Sequence, residues 1–201
     1  MRPTEIQADN YVAQLEVKTN VLKDSFGQHS MPELEVFASE PLHYRLRAEF
    51  RLWHEGDELH HVMFDQATKQ KYQIHHFPPA SQLINNVMAD LLLLLKPNDT
   101  ARRKLFQIDY LATISGEIIA SLLYHKELDE AWTDEMKKIR FSLRKKYHID
   151  IIGRAKKQKI LLDKDYVTEE LVINQRKFTF KQIENSFTQP NAQVNIKMIE
   201  W

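Results

Sequence analysis

The chain has 201 residues, enough for one domain with a real core or one domain and a small appendage. Its 28 lysines and arginines match its 28 aspartates and glutamates, so affinity for a polyanion has to come from uneven charge placement rather than a global excess. With 43% hydrophobic and 28% charged residues the composition is that of a folded globular protein, and with no cysteine it excludes disulfides, thiolate metal sites and a cysteine nucleophile within these residues.

The first residues, Met1 to Glu5, lead into a polar helical pattern instead of an apolar signal core, which points to the cytoplasm. Tyr11, Leu15, Leu22 and Phe26 recur at helical spacing, predicting a helix from Asp9, as N-cap, to Phe26, ended by Gly27 and Pro32. Residues 43 to 54 then alternate. Tyr44, Leu46, Ala48, Phe50 and Leu52 fall on one face and His43, Arg45, Arg47, Glu49 and Arg51 on the other, the clearest strand in the chain. The turn Glu55-Gly56-Asp57 and two short runs, Leu59 to Phe64 and Tyr72 to Phe77, extend it into an antiparallel meander closed by Pro78 and Pro79.

Ala80 to Leu95 carries a broad apolar stripe and predicts a largely buried helix. Its run Leu91 to Leu95 is far below the roughly 20 residues of a bilayer span. After the basic turn Arg102-Arg103-Lys104, the runs Leu105 to Ile114 and Glu117 to Tyr124 flank Ser115-Gly116, a hairpin signal. A helix follows at about Asp129 to Tyr147, with Trp132, Met136, Ile139, Leu143 and Tyr147 on one side, then short strands at 149 to 152, 160 to 162, 171 to 173 and 178 to 180. Ala192 to Trp201 reads as a helix that stops inside its apolar pattern without a cap, which suggests a piece of a longer protein. The order of elements predicts an α+β fold with a mainly antiparallel sheet and flanking helices.

Three patterns bear on function. Arg45, Arg47 and Arg51 share one face of a strand at a spacing that could meet successive phosphates, or they form a solvated face partly neutralised by Glu49. Between Lys137 and Lys159 ten lysines and arginines are opposed only by Asp150, a tract that would attract a polyanion or simply keep the surface soluble. The nine histidines, including His60-His61 and His75-His76, lack the spacing of a metal site, and Gly27, Gly56, Gly116 and Gly153 are too isolated for a nucleotide-cradling loop. A self-contained serine or phosphate-loop site is absent as well.

The segment Glu184-Asn185-Ser186-Phe187-Thr188-Gln189-Pro190-Asn191 resembles the F-x-Q-x-N signature that precedes the S-adenosylmethionine domain of RNA uracil-5-methyltransferases. His43 to Arg51, Lys104-Leu105-Phe106-Gln107-Ile108-Asp109-Tyr110 and Leu122-Leu123-Tyr124-His125-Lys126 stand in the same order and spacing as in that family, nearest its bacterial tRNA-specific branch. The resemblance implies an enzyme that extrudes a T-loop uridine of tRNA, attacks its C6 with a cysteine, passes the methyl group of S-adenosylmethionine to C5 and removes the C5 proton with a base. It further implies that Gln189 lies at the cofactor and target-base pocket, that Phe187 and Asn191 shape that pocket, that Phe106 stacks on T-loop bases, and that Arg45, Arg47 and Arg51 face the RNA. Against this, Phe106 and Phe187 could be plain core residues, and Gln189-Pro190-Asn191 an ordinary turn.

By the same resemblance the cofactor loop, the ribose-binding acids, the cysteine and the base belong to a Rossmann-like domain beyond Trp201. The chain then divides into a helical segment 1–40, an RNA-binding α+β domain 41–186, and 187–201 as the start of a linker into the missing domain. That makes it the RNA-recognition part of a tRNA methyltransferase, catalytically silent alone. The alternatives are an autonomous T-loop-binding or RNA-folding module, or half of a split enzyme completed by another chain.

Overall fold

A computed structural model describes residues 3–201; the reading of Met1 and Arg2 as part of a non-signal start lies outside the described residues. The helix expected from Asp9 is α1, Tyr11–Phe26, preceded by a 3-10 turn at Ala8–Asn10. Its N-cap is Asn10 rather than Asp9, and no side chain caps it. None of its residues is buried, so packing within this chain contributes little to it.

Seven strands form one sheet in the order β3-β2-β1-β4-β5-β6-β7, from β1 (Arg47–Glu55), β2 (Glu58–Phe64), β3 (Lys71–Gln73), β4 (Leu105–Ala112), β5 (Glu117–Tyr124), β6 (His148–Ala155) and β7 (Gln158–Leu161). Every neighbour pair is antiparallel except β5 with β6, whose parallel register is permitted by a helical crossover. That crossover is α4 (Glu130–Leu143), capped by the Asp129 carboxylate, which accepts from Trp132 N at 2.8 Å. The mainly antiparallel α+β expectation therefore holds, with one parallel joint.

The strand expected at 72 to 77 is cut to Lys71–Gln73, for a local reason. Ile74 and Phe77 turn into the core, Pro78 and Pro79 have no N–H for a ladder, and the buried Asn85 amide bonds both Phe77 N and Phe77 O instead. Asn85 belongs to α2 (Gln82–Leu95), which with the short α3 (Asp99–Arg102) and α4 covers one sheet face. Phe50, Ile108, Leu122 and Ile151 meet Val87, Leu91, Leu95, Trp132 and Met136 there. Burial of this whole set is the dominant stabilising term, each such side chain being worth about 1.5–3 kcal/mol.

The second face is covered only in part. The hairpin of β8 (Tyr166–Ile173) and β9 (Arg176–Ile183) closes over one end, where Val167 packs on Leu111, Ile119 and Ile152. Its two-residue turn, Asn174-Gln175, has both φ angles positive, at 48° and 62°. Glu169, on β8, is buried and receives the Ile114 backbone N–H at 3.1 Å, tying the hairpin to the β4–β5 turn. The chain ends in α5 (Ala192–Glu200). No helix among the described residues is long and apolar enough to cross a membrane.

Candidate nucleic-acid interface

Beyond the end covered by the hairpin, the second sheet face presents Arg51, Gln107, Leu123 and Arg154 in adjacent register on β1, β4, β5 and β6. Phe106 enters this row by an irregularity of β4. Leu105 pairs with Tyr124 and Gln107 with Leu123, so Phe106 is the extra residue between them. A bulge re-aims the side chain it carries. The Phe106 ring lies parallel to the His125 ring, with centres 3.8 Å apart and planes 9° from parallel, and the Arg51 guanidinium carbon sits 5.5 Å from the same ring centre. Both sequence alternatives for Phe106 are thus resolved towards a half-buried ring, not a core one. Together with Lys126, Arg154 and the β6–β7 turn, these rings line an open groove of about 870 Å³. Flat π-faces beside cations are what an unstacked nucleobase and its phosphate require.

His125 carried no role in the sequence reading, because nothing local to 122 to 126 shows that it meets a residue nineteen positions earlier; the pairing of β4 with β5 is the only signal. Arg154 is also a residue the sequence left within a general basic tract. Its guanidinium grips the buried Glu184 carboxylate through two bonds, Nε to Oε1 at 2.8 Å and Nη2 to Oε2 at 2.5 Å, and Ser121 Oγ adds a third at 3.0 Å. Burial pushes the Glu184 carboxyl up, but Arg154, Ser121 and Lys159 together hold it below its ordinary value. This pair anchors the first residue of the 184–191 segment to the sheet floor.

The remaining predicted residues form a second cluster. Arg47 donates from Nη1 to Ser186 O at 2.8 Å and pairs with Glu49 at 3.1 Å, and Leu46 N donates to Pro190 O at 2.7 Å, so the start of β1 holds the 184–191 segment. Arg45 is exposed and donates from Nε to Arg47 O at 2.7 Å. Phe187 is 85% exposed, and with Gln189 it edges a shallow cavity of about 320 Å³ between the hairpin and α5. Asn191 has its side chain committed: Oδ1 caps α5 by accepting from Val194 N at 3.0 Å, and Nδ2 donates to Ser39 Oγ at 2.6 Å. Arg51 therefore lies against the Phe106 ring at the groove, while Arg45, Arg47, Phe187, Gln189 and Asn191 surround another place.

The basic tract is not one cationic face. Asp134, Glu135, Asp90, Asp165 and Glu184 pair with Lys137, Lys138, Lys146, Lys159 and Arg154, and Asp150 with Asp163 binds both Arg140 and Arg144. Six of those acids, all but Asp150, lie outside the tract in sequence, beyond its ends, which is why counting within it misleads. Arg102 is likewise structural. It is buried and donates to the carbonyls of Gly56, Asp57 and Lys96.

Asp109 completes the open face. It stands directly opposite Glu49 on the neighbouring strand, and burial followed by that like charge raises its carboxyl to about 6, against the opposing bond from Gln107.

The chain is thus an α+β sheet with helices on one face and an aromatic, cation-bearing groove on the other. Comparison with known proteins narrows the class. The family model described as tRNA (Uracil-5-)-methyltransferase matches residues 10–201, and the chain belongs to that family. It is 62% identical over 201 residues to the tRNA/tmRNA (uracil-C(5))-methyltransferase of Pseudoalteromonas atlantica and 52% identical over 201 to that of Shewanella loihica, covering all of this chain and 55% of each relative. The chain thus spans about half the length of the curated relatives it matches. Among solved structures, the tRNA (uracil-54, C5)-methyltransferase of Pyrococcus abyssi, in complex with S-adenosyl-L-homocysteine, superposes with a TM-score of 0.64 at 16% identity, over 94% of this chain and 46% of that one. At that identity the likeness speaks to the fold.

Proposed function

We propose that this chain is the RNA-holding part of an S-adenosylmethionine-dependent enzyme that methylates C5 of the T-loop uridine of tRNA, and that by itself it binds the RNA without catalysis. The observation that carries the reading is the groove in which the Phe106 and His125 rings stack beside Arg51. A base taken out of its stack loses a few kcal/mol, and such a platform recovers about 1–3 kcal/mol per base. The division into 1–40, 41–186 and 187–201 belongs to the same reading, the last segment being a linker towards a catalytic portion or a complementing chain.

The residues present do not form a site for S-adenosylmethionine. Gly27, Gly56 and Gly116 sit in separate turns at positive φ and Gly153 is packed against Trp132, so no glycine loop cradles the cofactor, and the cavity that Gln189 edges is shallow, at about 320 Å³. No catalytic step is therefore assigned to this chain. Its residues bind, orient and expose the base, and the cofactor would supply the methyl group elsewhere.

Two measurements on this chain test the proposal. Binding to an unmodified T-loop hairpin should weaken in both Arg51→Ala and Phe106→Ala, and methyl transfer to unmodified tRNA should be nil. Parental affinity in both variants removes the RNA role of the groove, and turnover removes the claim of silence.

A further inference from the structure

Among the described residues, several basic side chains have no acid partner, and two of them stand side by side. Lys156 and Lys157 are exposed and make no ion pair or side-chain hydrogen bond, in contrast to Lys137, Lys138, Lys146 and Lys159, each held by an acid at 2.6–3.3 Å. The two free lysines line the same groove as Phe106. They form the whole two-residue turn between β6 and β7, where Ala155 pairs with Gln158. Turn chemistry favours glycine, asparagine or aspartate in a two-residue hairpin, and neither lysine adopts the positive φ that such turns use. The hairpin itself thus gives no reason for two adjacent cations.

Lys126 lines the same groove. It is half-buried, and its ammonium donates one bond, to Thr100 O at 2.8 Å, leaving two N–H groups uncommitted. Burial, and after it the nearby Arg103 charge against Asp129, weakens its hold on its proton, the environment of a cation short of counter-charge. Arg103 and Lys104, both exposed, continue the positive edge; Lys104 O accepts the His125 backbone N–H at 2.9 Å, which places that edge beside the stacked rings. Glu127 is the one acid among the groove's lining residues, and it has no ion pair there.

We propose that Lys126, Lys156 and Lys157 form a phosphate-binding rim that takes the sugar-phosphate backbone of an RNA whose base stacks on Phe106 and His125. The inference rests on the RNA reading above and adds to it a second, sequence-independent contact on the opposite side of the rings from Arg51. Aromatic faces hold the base by stacking, while ammonium groups hold phosphates as point charges and release counterions.

The two contributions separate in salt. For this chain, binding to a T-loop hairpin and to whole unmodified tRNA is measured across a salt series with the parent, Lys126→Gln/Lys156→Gln/Lys157→Gln, the same three positions as arginine, Phe106→Ala, and Lys137→Gln/Lys138→Gln. The glutamine triple variant should lose about tenfold or more in affinity near 0.1 M salt and flatten the log–log salt slope by about 2. The arginine triple should keep the parental slope, Phe106→Ala should bind weakly at an unchanged slope, and the Lys137/Lys138 variant should behave as the parent. An equal deficit on hairpin and tRNA assigns the phosphates to the T arm, and a larger one on tRNA assigns them beyond it. A glutamine triple with the parental slope, while Phe106→Ala still weakens binding, overturns the rim and leaves the RNA reading standing. A parent chain that binds neither RNA overturns both.

Discussion

The Phe106 groove and the Phe187 segment carry residues implied by one and the same resemblance, yet they differ in how far this chain completes them. Phe106 is braced by His125, Arg51 and the floor of a seven-stranded sheet, with every contact supplied from within 201 residues. Phe187 stands 85% exposed, and the partly uncovered Phe180, Ile183 and Ile199 line the same cavity. A contiguous apolar surface of that kind marks an interaction site. Base stacking can therefore be tested in this chain, while the F-x-Q-x-N segment leaves its aromatic side chain uncovered.

The largest effect should come from exchanging the two phenylalanines in turn. Phe106→Ala removes a preassembled stacking face and should cost about 1–3 kcal/mol of RNA binding, roughly 5- to 150-fold in Kd. Phe187→Ala should change Kd less than twofold in the same titration. Equal losses would erase the distinction between a finished and an unfinished site.

Next in size is the sheet that supports the groove. Gly153 lies on β6 beside Arg154, and a Cβ there would run into the Trp132 ring and come within 2.7 Å of Leu128 Cδ1. Gly153→Ala should destabilise the fold by about 1–3 kcal/mol through overpacking, visible as a lower urea midpoint, with RNA affinity restored wherever the protein remains folded. On the other side of the comparison, Asn191→Ala removes a helix cap and the bond to Ser39, and should cost about 1 kcal/mol. Binding to the T-loop hairpin should be untouched; a parallel loss of RNA affinity would show that the two clusters act as one.

What the sequence disclosed follows the range of the interaction involved. Periodicity is local, so the alternation of Leu46, Ala48, Phe50 and Leu52, the α4 stripe of Trp132, Met136, Ile139 and Leu143, and the Ser115-Gly116 turn, with φ of 97° at the glycine, were all readable. The α+β class followed from them. Pairing is not local: nothing near Arg51 announces that β1 lies against β4, or that a register shift turns Phe106 towards His125. Charge counting failed for the same reason, since the acids that neutralise Lys146 and Arg154 are Asp90 and Glu184, from elements distant in sequence. Asn191 shows a further limit. A residue implied to shape a pocket proves to spend its side chain on capping α5, which the N-cap preference for asparagine at the start of an apolar run could have signalled.

The smallest effect predicted here concerns the charge between the two clusters. Asp109 is flanked on the open face by Glu49, Arg47, Gln107 and, across β5, Glu184 with Arg154, and its carboxyl is raised to about 6 by burial and then by Glu49. Above that pH it is an anion beside the surface proposed to take phosphates; below it the carboxyl is neutral. RNA affinity should therefore rise as pH falls from about 7.5 to 5, and Asp109→Asn should already bind about 3-fold tighter than the parent at pH 7.5, the scale of one partly screened charge. The variant and parent should converge near pH 5, because there the parental Asp109 carboxyl is protonated and as uncharged as the amide. If Asp109→Asn retains the full parental pH profile, Asp109 does not face bound RNA, and the polyanion path is confined to the groove between Arg51 and the β6–β7 turn.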